Sequence, residues 1–337
     1  MGVVTIRDVA KLANVSAATV SATLNRSAPV SPALQERVRR AVEELGYAPD
    51  GVARSLKTGT TSLLGLLIPD ITNPFFTQLV RVVEAAAHRA GYAVLLCDSD
   101  EQLDKEQTYL RLMRTHRVAG LVWCPVGEAG PEGLGQRLAG LPVVMVDRPA
   151  PGVTADLVVI DNHRAGYLAT AHLLDLGHRR IGSIAGPAHL LPAAERLRGF
   201  KDALRERGLD PGIAPVGQGA FREAEAYASC RLLLQAPRRP TALFVGNNHM
   251  LVGVMRAIAD LGLACPADIS VAAIDDFPWA SAFNPRLTTV RQPVEAIGET
   301  ALRLLLARIS GHAAEPVRET LPCELIVRGS SARVAAG

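Results

Sequence analysis

The chain has 337 residues, of which 48% are hydrophobic, and a formal net charge of +3. This length predicts two or three domains with a sizeable core, and no apolar run approaches the roughly 18 residues of a membrane span. The five cysteines are odd in number, far apart and without a CxxC pair, which argues against a disulfide framework and a zinc site. Because the first residues lead into a polar helix rather than a signal peptide, we expect a cytoplasmic protein with no membrane partner.

The first predicted elements are a helix, a tight turn and a second helix. Thr5 and Asp8 have the spacing of a capping box, and Ser16 can cap the second helix. A third helix is predicted from Pro32 to Gly46, because proline at the first helical position and glycine after the last are typical boundary residues. Three short helices of this kind are typical of a DNA-reading module, although any small three-helix bundle would show the same pattern.

The outward face of the second helix is small and polar, so that it can lie in the DNA major groove. The candidate DNA contacts in these helices are Thr5, Ser16, Ala17, Ala18, Thr19, Ser21, Ala22 and Asn25. The alanines offer only methyl groups, and we therefore expect thymine-methyl contacts, hydroxyl contacts and DNA deformation to provide most of the specificity. Residues 1–60 hold eight Lys or Arg against five acids, which predicts binding that weakens as salt rises.

From residue 62 onward, strand patterns alternate with helical ones. The run LLGLLIP at 63–69 is typical of a parallel strand buried on both faces. Further strands are predicted at 92–98, 120–125, 143–147, 158–161, 181–186, 242–246 and 270–274, and helices at 75–89, 107–115, 165–176, 195–207, 224–235 and 252–261. Regular alternation predicts an α/β fold of parallel sheets with helices on both faces, and the length requires two such lobes.

Seven sequence blocks, in order along nearly the whole chain, resemble the lac repressor family of bacterial transcription regulators. They are TIRDVAKLANVSAATVS, LNRSAPVSP, ELGYAPDGVARSL, GLLIPDITNPFF, HLLDLGHRRIGSIAGP, ERLRGF and FNPRLTTVRQP. The resemblance implies a helix-turn-helix headpiece at 1–48, a hinge helix or linker at 49–61, and an effector-binding and dimerisation domain at 62–337 with the two-lobed architecture of periplasmic binding proteins. It implies an N-lobe of about 62–161 and 294–327 and a C-lobe of about 162–292, with crossovers near Asp161 and Gln292.

The connector between the headpiece and the lobes can form a short helix after Asp50, but isolated helices of this length are marginal in water. The resemblance implies that this hinge helix forms on the operator, where Leu56 wedges a base step in the minor groove beside Arg54 and Lys57. Ala53, Arg54, Leu56 and Lys57 complete the candidate DNA contacts. A plain flexible linker is the alternative.

Polar and aromatic side chains follow several predicted strands, and ligands of open α/β sheets bind beyond the carboxyl ends of strands. By resemblance, the effector-contacting positions are Phe75, Phe76, Asp147, Arg196, Phe221, Asn248 and Asp275. Arginine, aspartate and aromatic faces suit a sugar, whose hydroxyls need donors and acceptors and whose CH faces need flat apolar surface. Taken singly, Asp275 could instead cap the turn after its strand, and Phe76 could belong to the core.

One departure from the family pattern concerns the charge of this pocket. Where many relatives have Asn-Asp, this chain has Asn247 and Asn248, followed by His249. A missing carboxylate would leave Arg196 less neutralised, with Arg148 and His163 expected nearby. This favours an anionic effector, such as a sugar acid or sugar phosphate, over a neutral sugar.

The predicted function is therefore a DNA-binding transcriptional regulator, by family habit a repressor, which binds a palindromic operator as a homodimer and is switched by a sugar-like effector. Asp275 and Asp276 would point to opposite faces of a strand, and no phosphate loop, GxSxG or HExxH motif occurs. We expect no enzyme, catalytic residue, cofactor or metal site. The alternative is a periplasmic-type sugar-binding or transport protein with no DNA role.

Overall fold

The computed structural model describes residues 4–25, 28–47, 61–127, 133–312 and 314–334. The described residues form two compact units, one within residues 1–61 and one within residues 62–337. Within these ranges, none of the helices combines the length and the hydrophobicity that a bilayer crossing needs.

The first unit contains helices α1 (Ile6–Leu12), α2 (Ala17–Asn25) and α3 (Pro32–Leu45) around a small core. Its buried residues are Val9, Ala10, Ala13, Val20, Val38 and Ala41. The Thr5 amide and hydroxyl both donate to the Asp8 carboxylate, over 2.8 and 2.7 Å, and the Ser16 hydroxyl accepts from the Thr19 amide. Gly46 ends α3 at φ +59°. The predicted helix-turn-helix is confirmed, whereas the predicted hinge helix, with Ala53, Arg54, Leu56 and Lys57, lies outside the described residues.

The second unit has eight helices and twelve strands in its described residues. In chain order they are β1 (Leu63–Ile68), α4 (Pro74–Arg89), β2 (Ala93–Asp98), α5 (Leu103–Thr115), β3 (Gly120–Trp123), α6 (Leu134–Arg137), β4 (Val143–Val146), β5 (Asp156–Ile160), α7 (Asn162–Asp175), β6 (Ile181–Ala185), α8 (Leu191–Glu206), β7 (Val216–Gln218), α9 (Glu223–Gln235), β8 (Ala242–Val245), α10 (Asn248–Asp260), β9 (Ser270–Ile274), β10 (Thr288–Arg291), α11 (Val294–Ile309), β11 (Arg318–Leu321) and β12 (Glu324–Ile326).

The strands form two six-stranded sheets, each the centre of one lobe. The first has the order β11-β5-β4-β3-β1-β2 and the second the order β12-β10-β9-β8-β6-β7. All neighbouring strands are parallel except β10 and β12. Strand β1 is buried along nearly its whole length, as its unbroken apolar run predicts. The α/β class and the two-lobed, periplasmic-binding-protein-like architecture are confirmed.

The C-terminal segment corrects one prediction. Helix α11 packs on the first sheet and β11 pairs with β5, so both belong to the first lobe as expected. Strand β12 instead pairs with β10 in the second sheet, where Thr289 lies opposite Ile326. The assignment of residues 294–327 entirely to the first lobe is therefore wrong for β12, Glu324–Ile326. The chain crosses between lobes three times, and its last strands cover one edge of each sheet, which leaves fewer backbone groups unpaired.

Candidate effector-binding site and DNA-reading face

A partly open cavity lies where the carboxyl ends of the two sheets meet. It is lined by Asp70, Asn73, Phe75, Phe76, Glu101, Asp147, Arg148, Pro192, Arg196, Ala220, Phe221, Arg222, Asn247, Asp275 and Gln292. All the expected effector contacts except Asn248 are in this lining. The cavity has a volume of about 40 Å³, which is room for a few water molecules.

The backbone of this lining is unusual. Five of its non-glycine residues have a positive φ, between +48° and +75°: Glu101, Asp147, Ala220, Phe221 and Asp275. The left-handed region is sparsely populated by residues with a Cβ atom, and such strain is retained mainly at functional sites. Each residue lies in a loop after a strand, where this conformation changes the direction of the chain.

Arg196 is held rigidly in the wall of the cavity. It is almost fully buried, and its Nε donates to Asn162 Oδ1 while its Nη1 donates to the carbonyl of Gly246, both over 2.8 Å. Its guanidinium lies 6.0 Å from the centre of the Phe221 ring, within the range of a cation–π contact. The Phe221 ring packs on Gly186, where any Cβ would overlap it. Groups of the protein itself thus fix the orientation of Arg196.

Asp275 and Gln292 form a fixed pair of acceptors. Gln292 Nε2 donates to Asp275 Oδ1 over 2.5 Å, which directs the other end of the amide away from the carboxylate. Among the described residues, Gln292 Oε1 is buried and has no hydrogen-bond partner. Burial raises the pKa of the Asp275 carboxyl, and Arg196 and Gln292 oppose that shift. A ligand hydroxyl would meet an acceptor that the protein leaves unsatisfied.

Arg148 is also buried and is paired twice. Its Nε donates to Asp147 Oδ2 over 2.8 Å, and its Nη1 lies 3.3 Å from Glu101 Oε2. Burial alone would lower the pKa of Arg148, but Asp147 and Glu101 raise it above its ordinary value. Sequence reasoning missed Glu101, although its place after the predicted strand 92–98 was an available signal.

The charges of the whole lining weigh against the anionic-effector prediction. The lining carries four carboxylates, from Asp70, Glu101, Asp147 and Asp275, against the three guanidiniums of Arg148, Arg196 and Arg222. His163 does not contribute, because its Nε2 lies 2.9 Å from Asp202 on the outer side of α7 and α8. The cavity is therefore not short of negative charge. Two aromatic rings, Phe75 and Phe76, add an apolar wall, with their centres 5.0 Å apart and edge to face.

Asn248 joins the two lobes beside the cavity. Its Nδ2 donates to Asn73 Oδ1 over 2.9 Å. The adjacent His249 lies 3.3 Å from the Thr72 carbonyl and 3.6 Å from the Asp70 carboxylate. Asn248 therefore contributes to closure of the lobes rather than to the lining.

On the headpiece, the outward face of α2 has the expected character. Ser16, Ala17 and Ala18 are exposed, Thr19, Ser21 and Ala22 are half-buried, and the side chain of Asn25 lies outside the described residues. Thr5 is exposed but its hydroxyl donates to Asp8. Arg37 donates to the carbonyls of Ala13 and Asn14, over 2.7 and 3.0 Å, so it braces the turn between α1 and α2.

Comparisons with known proteins agree with both regions. Residues 5–50 match the model "Bacterial regulatory proteins, lacI family", and residues 170–331 match "Periplasmic binding protein-like domain". The HTH-type transcriptional repressor PurR of Aliivibrio salmonicida (strain LFI1238) is 38% identical over 330 residues, which cover 97% of this chain and 98% of the relative. The ribose operon repressor of Escherichia coli (strain K12) is 38% identical over 328 residues, covering 97% and 99%.

Among solved structures, the lac repressor dimer bound to operator and the anti-inducer ONPF matches with a TM-score of 0.86 and 28% identity, over 98% of this chain and 100% of that one. These relatives are transcriptional repressors rather than enzymes, and their similarity includes the DNA-reading headpiece. The prediction of a DNA-binding transcriptional regulator is confirmed and is favoured over a transport protein. The chain belongs to the lacI family of bacterial regulatory proteins.

Proposed function

We propose that this protein is a repressor whose affinity for operator DNA is switched by a small neutral sugar bound between the lobes. The observation that carries the proposal is the buried, unpartnered Gln292 Oε1 beside Asp275. An unsatisfied buried acceptor costs free energy that a ligand hydroxyl recovers. Two acceptors held together by their own hydrogen bond suit neighbouring hydroxyls of a polyol, and the aromatic rings suit its CH face.

A neutral ligand fits the charges better than an anion. The lining has one more carboxylate than guanidinium, so an added anion would be repelled in a site of low dielectric. A sugar acid or sugar phosphate, which the sequence favoured, is therefore the weaker candidate. One relative is named a ribose operon repressor, and D-ribose is accordingly the first pentose to test.

The contacts proposed for the sugar are Phe75, Phe76, Asp147, Arg196, Phe221 and Asp275, with Gln292 added and Asn248 acting through closure. Sugar binding changes the balance between open and closed lobes only through its different affinity for the two states. Because the same lobes form the dimerisation domain, this balance is linked to operator affinity.

For DNA, we propose that a two-fold dimer reads a palindromic operator with the exposed face of α2 and the hinge residues. The matched lac repressor structure is a dimer on its operator, and motifs of this kind read paired half-sites. The proposed contacts are Thr5, Ser16, Ala17, Ala18, Thr19, Ser21, Ala22, Asn25, Ala53, Arg54, Leu56 and Lys57. A protein that acts on operator DNA works in the cytoplasm.

The test is operator binding to the DNA upstream of the protein's own gene, with and without a panel of neutral sugars that includes D-ribose and their acids and phosphates. We expect one neutral sugar to change DNA affinity. Arg196→Met should weaken that response about 100-fold while DNA binding persists, because a buried charged donor is lost. Arg198→Met, on the exposed face of the same helix, is the matched control. A response to anionic sugars only, or one that Arg196→Met leaves intact, would contradict the proposal.

A further inference from the structure

The turn after β2 contains two consecutive residues in the left-handed region. Asp100 and Glu101 are consecutive non-glycine residues at φ +52° and +54°. Asp100 lies 3.3 Å from Arg222 of the second lobe, while Glu101 faces the cavity beside Arg148. Two adjacent left-handed residues are strained, and their effect is to place one carboxylate at the cavity wall and the other across the junction of the lobes.

At the wall, the carboxylates around Arg148 carry more negative charge than Arg148 carries positive charge. Asp147 and Glu101 both lie within ion-pair distance of it, so the three groups together have a net charge of −1. Asp147 alone would neutralise Arg148. Glu101 is therefore surplus to the pairing, and its side chain keeps about a quarter of its surface exposed.

We infer that Glu101 is a specificity-determining residue, which excludes phosphate-bearing and carboxylate-bearing sugars from the cavity by screening Arg148. This rests on the proposed role of the cavity as a sugar site. An anion that approaches Arg148 meets the Glu101 carboxylate at the same wall, and repulsion between partly buried charges is strong. Neutral sugars encounter no such repulsion and can use the carboxylates as acceptors.

Titration supports the same assignment. Burial raises the pKa of the Glu101 carboxyl and the nearby Asp147 adds to the shift, while Arg148 and Arg222 oppose it only in part. Glu101 is therefore protonated at a higher pH than an ordinary glutamate, so its repulsion of anions should weaken as pH falls. If Glu101 only held Arg148 in place, a change of pH would not change the affinity of the cavity for anions.

The experiment uses the full-length protein and inorganic sulfate, whose charge is constant from about pH 5 to pH 8. Binding is measured at constant ionic strength by calorimetry for wild type, Glu101→Gln and the control Asp104→Asn, which makes the same charge change on the exposed face of α5. At neutral pH we expect Glu101→Gln to bind sulfate about 10- to 100-fold more tightly than wild type and the control. D-ribose and D-ribose 5-phosphate provide a matched pair of ligands. Compared with wild type, Glu101→Gln should shift its preference from D-ribose toward D-ribose 5-phosphate.

If Glu101→Gln gains no affinity for sulfate, or wild type already binds it as tightly, the inference is overturned. If the variant does not fold, wild type provides the test, because its sulfate affinity should rise as pH falls from about 8 to 5, and a flat profile would overturn the inference. The neutral-sugar panel separates the two proposals. If operator binding by wild type responds to a neutral sugar but Glu101→Gln still does not bind sulfate, only the proposed role of Glu101 is wrong. If operator binding by wild type responds to sugar phosphates, both proposals are wrong.

Discussion

The two lobes share one strand order but bring opposite charges to the cavity. Across each sheet the spatial order is the C-terminal strand, followed by the fifth, fourth, third, first and second strands of that lobe. The first lobe contributes Asp70, Glu101, Asp147 and Arg148, a net charge of −2, and the second contributes Arg196, Arg222 and Asp275, a net charge of +1. A repeated scaffold thus carries different chemistry on each side, and closing the lobes brings complementary charges together.

The lobes also differ in how closely their helices pack. In the second lobe, Gly166 of α7 lies against the Arg196 carbonyl and Gly199 of α8 against the His163 carbonyl, so close that a Cβ at either would overlap backbone. In the first lobe, a Cβ at Gly298 of α11 would meet the Val82 side chain at 2.6 Å. The helix that carries Arg196 is therefore fixed by backbone contacts, whereas α11 meets a side chain of α4 rather than its backbone.

The largest expected effect tests this difference in packing. Gly199→Ala should lower the free energy of unfolding by about 4 kcal/mol, because neither backbone can yield, whereas Gly298→Ala should cost about 1 kcal/mol. Urea unfolding, followed by circular dichroism, provides the comparison. Equal costs would mean that α7 and α8 can separate as easily as α4 and α11, and would contradict the rigid placement of Arg196.

The next effect concerns a carboxylate and arginine pair in each lobe. Asp156 is fully buried and accepts from Arg308 over 2.8 and 2.7 Å and from the Val317 amide. In the second lobe, Asp276 accepts from Arg328 over 2.8 and 3.0 Å and is slightly exposed. Burial alone would raise the pKa of both carboxyls, but the arginines hold each pKa below its usual range.

Asp156→Asn should therefore cost about 3 kcal/mol at neutral pH, because a charged partner is left unpaired, and Asp276→Asn should cost less, since water reaches that pair. A lowered carboxyl pKa means that the stabilisation is complete above the ordinary value, near 3.9, and is lost as pH falls through the folded-state pKa. Unfolding measured from pH 7 to pH 3 should show the difference between wild type and Asp156→Asn shrinking only below about pH 4. A difference that does not depend on pH would argue for packing rather than charge.

The sequence predicted the fold through apolar spacing, but it placed the starts of four helices too late. Helices α5 and α8 begin four residues before their predicted starts, and the cap of α8 is the apolar Leu190. Helices α7 and α10 begin three or four residues before their predicted starts. Asp161 Oδ1 accepts from the Arg164 amide and Asn247 Oδ1 from the Met250 amide, so each helix starts at its cap. Both residues are typical caps, but neither was used to place the start of its helix.

Strand β12 shows what sequence could not supply. It has only three residues. Its partner β10 lies in the second sheet, whereas the preceding strand β11 lies in the first. In the cavity, family resemblance and the strand-end rule indicated Arg196 and Asp275. The pairing of Glu101 with Arg148 was not predictable, because it depends on loops after β2 and β4, which are separated in the first sheet by β1 and β3.

The smallest expected effect concerns the contact that holds the lobes together. Asn248 Nδ2 donates to Asn73 Oδ1, which also accepts from the Phe75 amide at the start of α4. Asn248→Ala removes the contact between lobes and a hydrogen bond that Asn248 Oδ1 accepts from the adjacent His249 amide. Asn73→Ala removes the same contact and the cap of α4, so we expect Asn73→Ala to bind the sugar more weakly than Asn248→Ala. A net hydrogen bond of about 1 kcal/mol predicts about fivefold weaker sugar binding for Asn248→Ala.

A double-mutant cycle isolates the contact, since the coupling between Asn73→Ala and Asn248→Ala excludes the cap. Calorimetry with the sugar that alters operator binding should give a coupling of about 1 kcal/mol. If the two costs simply add, the hydrogen bond does not help to close the lobes on the sugar. Closure would then depend on the charges that the lobes bring to the cavity, and Glu101→Gln, which removes one of them, would weaken neutral-sugar binding more than Asn248→Ala does.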